Sequence, residues 1–253
     1  MEVTILGSGV WIGNRETCRR GPGVLIEAAN KRVLVDCSGG TNYQLAACGL
    51  DPNTIDMILL THLHMDHCGG LIHLVGEMVL TGRKRRLEVY GPPETRNFFN
   101  NSVELYSKYS EIYQNLEQKL DVAVEEVSSR NFYCNGEIST SSFKLKHSVL
   151  NIGYRFLLGG KSLAITGDTE ICEEIFSLAE ECDLLICQCS HLERKLNHLN
   201  PELVAEVAIK SKPKRVVLTH FYPDCIAEEA LRRIRKLWSG NVMAAEDLMK
   251  IKL

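Results

Sequence analysis

Apolar residues along this chain come in short blocks of strand length, interrupted by a few stretches with helical spacing. Blocks at 2–6, 23–28 and 32–36 predict three strands, with Gly7-Ser8-Gly9 and Ser38-Gly39-Gly40 as punctuation. The stretch 41–48 predicts a short helix stopped by Gly49. A strand over 55–60 runs directly into a histidine cluster, and another over 87–90 ends at Gly91-Pro92-Pro93. Positions 103–120 have helical spacing, with Leu105, Tyr109, Ile112, Tyr113 and Leu116 on one side. In the second half, 143–147, 154–158, 162–166, 184–187, 215–219 and 248–253 predict strands, and 170–181, 201–211 and 227–238 predict helices. Pro201 stands in the first turn of its helix, where its missing N–H costs nothing. Strands mixed with helices in both halves predict an α/β fold with two packed sheets and helices outside. With no internal repeat, low-complexity segment or linker, residues 1–253 read as one domain.

Composition narrows the function. At 253 residues and 45% hydrophobic content, the chain can bury a core without disulfides or structural metal. A formal charge of −3 gives no global field for nucleic acid. The densest basic runs, Arg83-Lys84-Arg85-Arg86 and 210–215, read as solvated loops unless they flank a cleft, where they would favour phosphate-rich substrates. No segment has the long uncharged apolar run of a membrane helix, and the N-terminus reads as a strand rather than a signal peptide, so the expected location is the cytosol. The ten cysteines are scattered and are expected to be mostly buried thiols.

The chemistry concentrates in Thr61-His62-Leu63-His64-Met65-Asp66-His67-Cys68-Gly69-Gly70. With eight histidines in 253 residues, three within six positions are hard to attribute to chance. At a strand end, His62 and His64 leave the same face, and Asp66 and His67 follow where the turn bends toward a helix. Gly69 and Gly70 are expected to let the backbone turn without strain. Imidazoles suit transition ions, and a carboxylate adds compensating charge. His147, Asp168 and His220 each close a predicted strand, and strand ends on one rim can converge on one cleft.

His-x-His-x-Asp-His after an apolar strand resembles the signature of the metallo-β-lactamase superfamily. Further stretches resemble it in order: Asp36-Cys37-Ser38-Gly39-Gly40, Lys146-His147-Ser148, Thr166-Gly167-Asp168-Thr169 and Leu218-Thr219-His220-Phe221. The resemblance implies an αβ/βα four-layer sandwich. It also implies two divalent ions, with Zn first and Mn or Fe as alternatives. One would be held by His62, His64 and His147, the second by Asp66, His67 and His220, with Asp168 bridging both. Such ions, roughly 3.5–4 Å apart, activate a bridging water as nucleophile. Asp36 reads either as the carboxylate that fixes an imidazole tautomer or as a turn cap.

Within the superfamily the chain resembles ribonuclease Z-like phosphodiesterases. The resemblance lies in Leu6-Gly7-Ser8-Gly9 with Asn14-Arg15, in Asp36–Leu45 as a whole (36–45), and in His147 followed by Gly153-Tyr154-Arg155. His198-Leu199-Asn200 resembles that family's His-Leu-Thr motif, which implies that His198 protonates the leaving oxygen. Asp66 and His198 are therefore the expected catalytic residues. The alternative for His198 is a neighbour of the 201–211 helix start. Two departures matter. Gln188 stands where the family has a glutamate, so it can hydrogen-bond His198 but supplies no charge, and Gln188→Glu is expected to raise activity. The family's tRNA-clasping arm falls between the His147 and Asp168 equivalents, where 151–165 leaves room only for a hairpin with Gly159-Gly160 at its tip. Tyr106, Tyr109 and Tyr113 could stack on a base, although core packing is the simpler reading. The expected function is a binuclear phosphodiesterase acting on RNA ends, a nucleotide or a small phosphodiester, compatible with a homodimer. The alternatives are a glyoxalase II-like thioesterase or lactonase, or a non-catalytic metal-binding protein.

Overall fold

The computed structural model describes residues 1–13, 18–127, 130–134 and 138–253, so Asn14-Arg15 of the opening loop lies outside the described residues. Fourteen strands form two seven-stranded sheets among the described residues. The first contains β1 (Glu2–Gly7), β2 (Gly23–Ala28), β3 (Lys31–Val35), β4 (Met57–Leu59), β5 (Leu87–Gly91) and β6 (Val122–Glu126) in that order, with β14 (Met249–Lys252) on the outer edge of β1. The second contains β7 (Arg130–Cys134), β8 (Ile138–Leu145), β9 (Asn151–Leu158), β10 (Lys161–Ile165), β11 (Leu184–Gln188), β12 (Arg215–Thr219) and β13 (Asn241–Ala244). Each sheet is antiparallel at one side and parallel at the other: β3 to β6 run parallel, as do β10 to β13.

The strands are apolar on both faces because both are covered. In β1, Val3 and Ile5 face the core between the sheets, while Leu6 joins the outer core. In β11, Leu184 and Ile186 face inward, and Leu185 and Cys187 face the outer helices. This two-residue alternation gives three apolar layers. Helices α1 (Thr41–Ala47) and α3 (Leu71–Leu80) cover the first sheet, and Gly69-Gly70 joins α3 to the preceding α2 (Met65–Cys68). Helices α6 (Glu173–Ala179), α7 (Pro201–Ser211) and α8 (Ala227–Leu237) cover the second.

The helix expected over 103–120 is corrected. Helix α4 spans Thr95–Ser107, turns follow, and α5 is the short segment Leu116–Lys119. Ser107 Oγ bonds the Glu104 carbonyl, Ser110 Oγ accepts from the Ile112 N–H, and Asn115 is left-handed at φ 52°, all of which compete with a continuing helix. Tyr109 and Leu105 are exposed, so the expected common apolar side does not form. Tyr113 is buried and donates its hydroxyl to the Ile72 carbonyl at 2.9 Å, as core packing predicts.

The basic run is corrected in part. Arg83 is buried, and its guanidinium donates to the carbonyls of Asn53, Ile55, Arg85 and Arg86. Lys84, Arg85 and Arg86 are exposed. The run precedes β5, and 210–215 leads into β12, so both lie at the strand starts, away from the histidines at the strand ends. Most cysteines are buried: Cys37 and Cys68 lie in the outer core of the first sheet, and Cys182, Cys187, Cys189 and Cys225 in that of the second. No helix among the described residues is long and apolar enough to cross a membrane.

Candidate metal centre

The site collects at the carboxyl ends of strands of both sheets, most of them in the parallel halves, where α/β folds place ligands, with β8 contributing from the antiparallel half. After β3, Asp36 takes a left-handed φ of 61°, and its buried carboxylate accepts from the Thr61 N–H at 2.8 Å, from the Thr61 hydroxyl and from His67 Nδ1 at 2.8 Å. The Thr61 oxygen in turn lies 3.0 Å from His62 Nδ1. Asp36 thus organises the loop from the strand end into α2. Gly69 and Gly70 have ordinary right-handed backbone, φ −64° and −83°, so the expected conformational reason for them is corrected. What requires Gly70 is proximity: a Cβ there would lie 2.0 Å from the Ser38 carbonyl oxygen.

Two groups of side chains result. His62 Nε2 and His64 Nδ1 lie 3.1 Å apart, and His147 Nε2 is 3.3 Å from the same His64 nitrogen. His67 Nε2 and His220 Nε2 face each other at 3.0 Å, with an Asp66 oxygen 3.4 Å from His220 and 3.7 Å from His67. Asp168 lies beside the second group, one oxygen 3.7 Å from His67 Nε2 and the other 3.3 Å from His220 Nε2. All seven expected residues are therefore brought together. His147 arrives from two residues beyond β8 rather than closing it, and Asp168 from three beyond β10. His220 directly follows β12 at φ 61°.

The far side of each ring shows which nitrogen is bare. His67 Nδ1 donates to Asp36, His147 Nδ1 donates to the Asn197 carbonyl at 2.9 Å, and His220 Nδ1 donates to Ser190 Oγ at 3.1 Å. Neutral rings fixed this way turn lone pairs toward one another at contact distance, which is repulsive unless a cation lies among them. One buried oxygen of Asp168 also lacks any hydrogen-bond partner. The donor set fits divalent ions. As protein alone, the site draws protons instead: burial opposes charge on His67, but Asp36 and Asp168 outweigh it and push its pKa up to about 9. Burial also opposes charge on Asp66, and His220 and His67 hold it well below the usual carboxylate range. Burial drives His62 far below an ordinary imidazole.

Residues 31–221 match the beta-lactamase superfamily domain. The chain belongs to that superfamily. The metallo-beta-lactamase fold protein YhfI of Bacillus subtilis superposes with a TM-score of 0.81 at 19% identity, over 99% of this chain and 98% of that one. The fold is the αβ/βα four-layer sandwich that the sequence predicts. Human tRNase Z, short form, superposes with a TM-score of 0.81 at 25% identity, over 100% of this chain and 99% of that one. Ribonuclease Z of Saccharolobus islandicus is 26% identical over 305 aligned residues, covering 100% of this chain and 99% of the relative. Family, full-length relatives and clustered ligand-type side chains identify this superfamily member as a metal-dependent hydrolase that binds divalent metal.

The remaining motif residues divide between bracing and chemistry. Tyr154 donates its hydroxyl to the Leu60 carbonyl at 2.6 Å, fastening β9 to the strand end before the cluster, and Arg155 bonds the Leu178 and Glu180 carbonyls at the end of α6. A Cβ on Gly153 would meet Leu178 at 2.6 Å. The Gly-Tyr-Arg stretch therefore braces the fold. His198 stands next to the cluster, its ring centroid 5.5 Å from that of His147 and its Nδ1 donating to Gln188 Oε1 at 2.9 Å. Burial pushes its pKa down to about 4 against the pull of Asp168. Sequence reasoning assigned no role to Thr61, although it heads the cluster, and missed Ser190 and His191. Of these two, His191 left a trace in the chain, as a second histidine seven residues before His198.

Proposed function

We propose that this chain is a ribonuclease Z-like phosphodiesterase whose residues 1–253 form one domain around a pair of divalent ions, Zn first and Mn or Fe as alternatives. The observation that carries the diester reading is the end-to-end match to ribonuclease Z. His62 Nε2, His64 Nδ1 and His147 Nε2 would hold one ion. Asp66, His67 Nε2 and His220 Nε2 would hold the other, with Asp168 between them. When bound, such ions supply a water of lowered pKa and positive charge for phosphoryl oxygens. Around them the chain's own residues act. Asp36, Ser190 and the Asn197 carbonyl hold the tautomers, the Asp66 carboxylate takes the proton of the attacking water, and His198 gives a proton to the leaving oxygen. Proton transfer of this kind contributes about 10²–10⁴-fold.

The substrate is a small phosphodiester or an accessible RNA end. Strands β9 and β10 pair as a hairpin joined at Gly159 and Gly160, both at positive φ, so nothing is inserted where an arm would leave. The alignment to the archaeal ribonuclease Z spans 305 positions against 253 residues here, consistent with a reduced substrate platform. Hydrolysis of bis(p-nitrophenyl) phosphate by protein stripped of metal and then reloaded with Zn or Mn tests the reading. Turnover that disappears on stripping and returns with metal is expected. No turnover by protein holding two ions, with activity on a thioester or lactone instead, would overturn it.

A further inference from the structure

His191 follows Ser190 just beyond β11 and lies outside both groups of ligand-type side chains. It is 6% exposed. Its Nδ1 stands 3.0 and 3.2 Å from the two oxygens of Asp224, a largely exposed carboxylate that also holds Lys195 Nζ at 3.1 Å. A carboxylate only accepts, so Nδ1 carries the proton. Nε2 has no hydrogen-bond partner among the described residues and is not among the fully enclosed orphan atoms. The ring packs against Tyr222 with centroids 4.3 Å apart, and the same Tyr222 ring lies 5.7 Å from His198 and 5.9 Å from His220. His191 and His198 meet edge to face at 5.6 Å. Two imidazoles, each with its Nδ1 anchored, therefore share one wall beside the metal centre.

Their anchors differ in charge. Gln188 Oε1 accepts from His198 and from Ser190 Oγ at 2.7 Å, while Gln188 Nε2 donates to the Thr169 carbonyl at 2.5 Å. The amide orients His198 but brings no charge of its own, so the carboxylate oxygen near its Nδ1 is Asp168's, 3.8 Å away and shared with His220. Asp224 gives His191 both orientation and charge, the pairing that stabilises an imidazolium as it forms. Burial lowers both imidazoles, and at His191 the Asp224 hydrogen bond opposes it.

We propose that His191, oriented by Asp224, is a second proton donor on the leaving-group side of the phosphodiester. The proposal rests on the diesterase reading. Water forms the new P–O bond and loses its proton to Asp66. The ester P–O bond breaks with its electron pair on the leaving oxygen. On this route that oxygen takes its one proton from His191 Nε2 in place of His198, which leaves a neutral imidazole still donating Nδ1–H to Asp224. One water enters, and one alcohol and one phosphomonoester depart. His191 is the catalytic residue in this step and Asp224 the positioning residue.

The test compares metal-loaded wild type, His191→Gln and Asp224→Asn on bis(p-nitrophenyl) phosphate, whose leaving group needs no proton, and on a dinucleoside monophosphate, whose leaving alkoxide does. His191→Gln is expected to lower kcat on the dinucleotide by about 10²-fold and on the nitrophenyl diester by less than about tenfold, with metal content unchanged. Asp224→Asn, a change at a mostly exposed side chain, should show the same substrate bias at about a tenfold loss. Equal losses on both substrates, or none, would overturn the proposal. So would a wild type that cleaves the nitrophenyl diester but no dinucleotide. A wild type that cleaves neither, while holding metal, overturns the diesterase reading and this proposal with it.

Discussion

Asp168 illustrates how a single side chain can be read twice. In the chain it is an acid after a strand; in the fold it is buried, with one oxygen lacking any hydrogen-bond partner and both within 3.7 Å of ring nitrogens. Asp168→Ala is expected to lose bound metal and to cut turnover by at least about 10²-fold, checked by metal analysis alongside kinetics; full metal content would remove the bridging assignment. Gln188 shows the structure reversing a sequence expectation. A glutamate there would set its second oxygen against the Thr169 carbonyl, which now accepts from the Gln188 amide at 2.5 Å. Gln188→Glu is therefore expected to destabilise by about 1–3 kcal/mol and to leave dinucleotide turnover no higher, measured by thermal unfolding and kcat. The local sequence showed the missing charge, but not the carbonyl that enforces an amide.

At the scale of elements, the second sheet is fastened by Asp183 just ahead of β11. It accepts from the Ser162 N–H at 2.8 Å and hydroxyl at 3.1 Å on β10, and from Lys214 at 2.8 Å ahead of β12. Lys214 above all, with Ser162 adding, holds the Asp183 pKa down to about 2. A depressed folded-state pKa means stability that is present above the unfolded value of about 3.9 and lost as pH falls through about 2. Asp183→Asn should cost about 1–2 kcal/mol at neutral pH, and its gap in Tm to wild type should narrow as pH falls from about 5 to about 3. A gap independent of pH would mean that the charge contributes nothing. Helix α7 and strand β12 were legible in the sequence to the residue, because Pro201 and the apolar spacing marked them sharply. The 95–119 region was not, because helical spacing alone does not register the serine and asparagine backbone contacts that break it.

For the whole molecule, the centre joins the two halves of the sandwich. His62, His64, Asp66 and His67 come from the first sheet's rim, and His147, Asp168 and His220 from the second's. Ions bound there would tie one sheet to the other and stabilise the folded state alone. At a free metal concentration 100-fold above Kd this is worth about 2.7 kcal/mol, so chelation should lower Tm by roughly 5–10 °C, reversed on reloading. An unchanged Tm would mean that the rim holds its geometry without metal. The sequence by itself determined most strand positions, because strand-length apolar blocks are local patterns, and its resemblance to the superfamily pointed to the fold and to the seven side chains that the structure brings together. Only the tertiary structure decided which ring nitrogens face inward, why Gly70 is required, that Arg83 is an internal brace and that His191 stands beside His198. Most of these depend on partners 28 to 50 residues away, apart from the Arg83 contacts to its own loop and the short span from His191 to His198, and a local pattern carries no information about which distant backbone a side chain will meet.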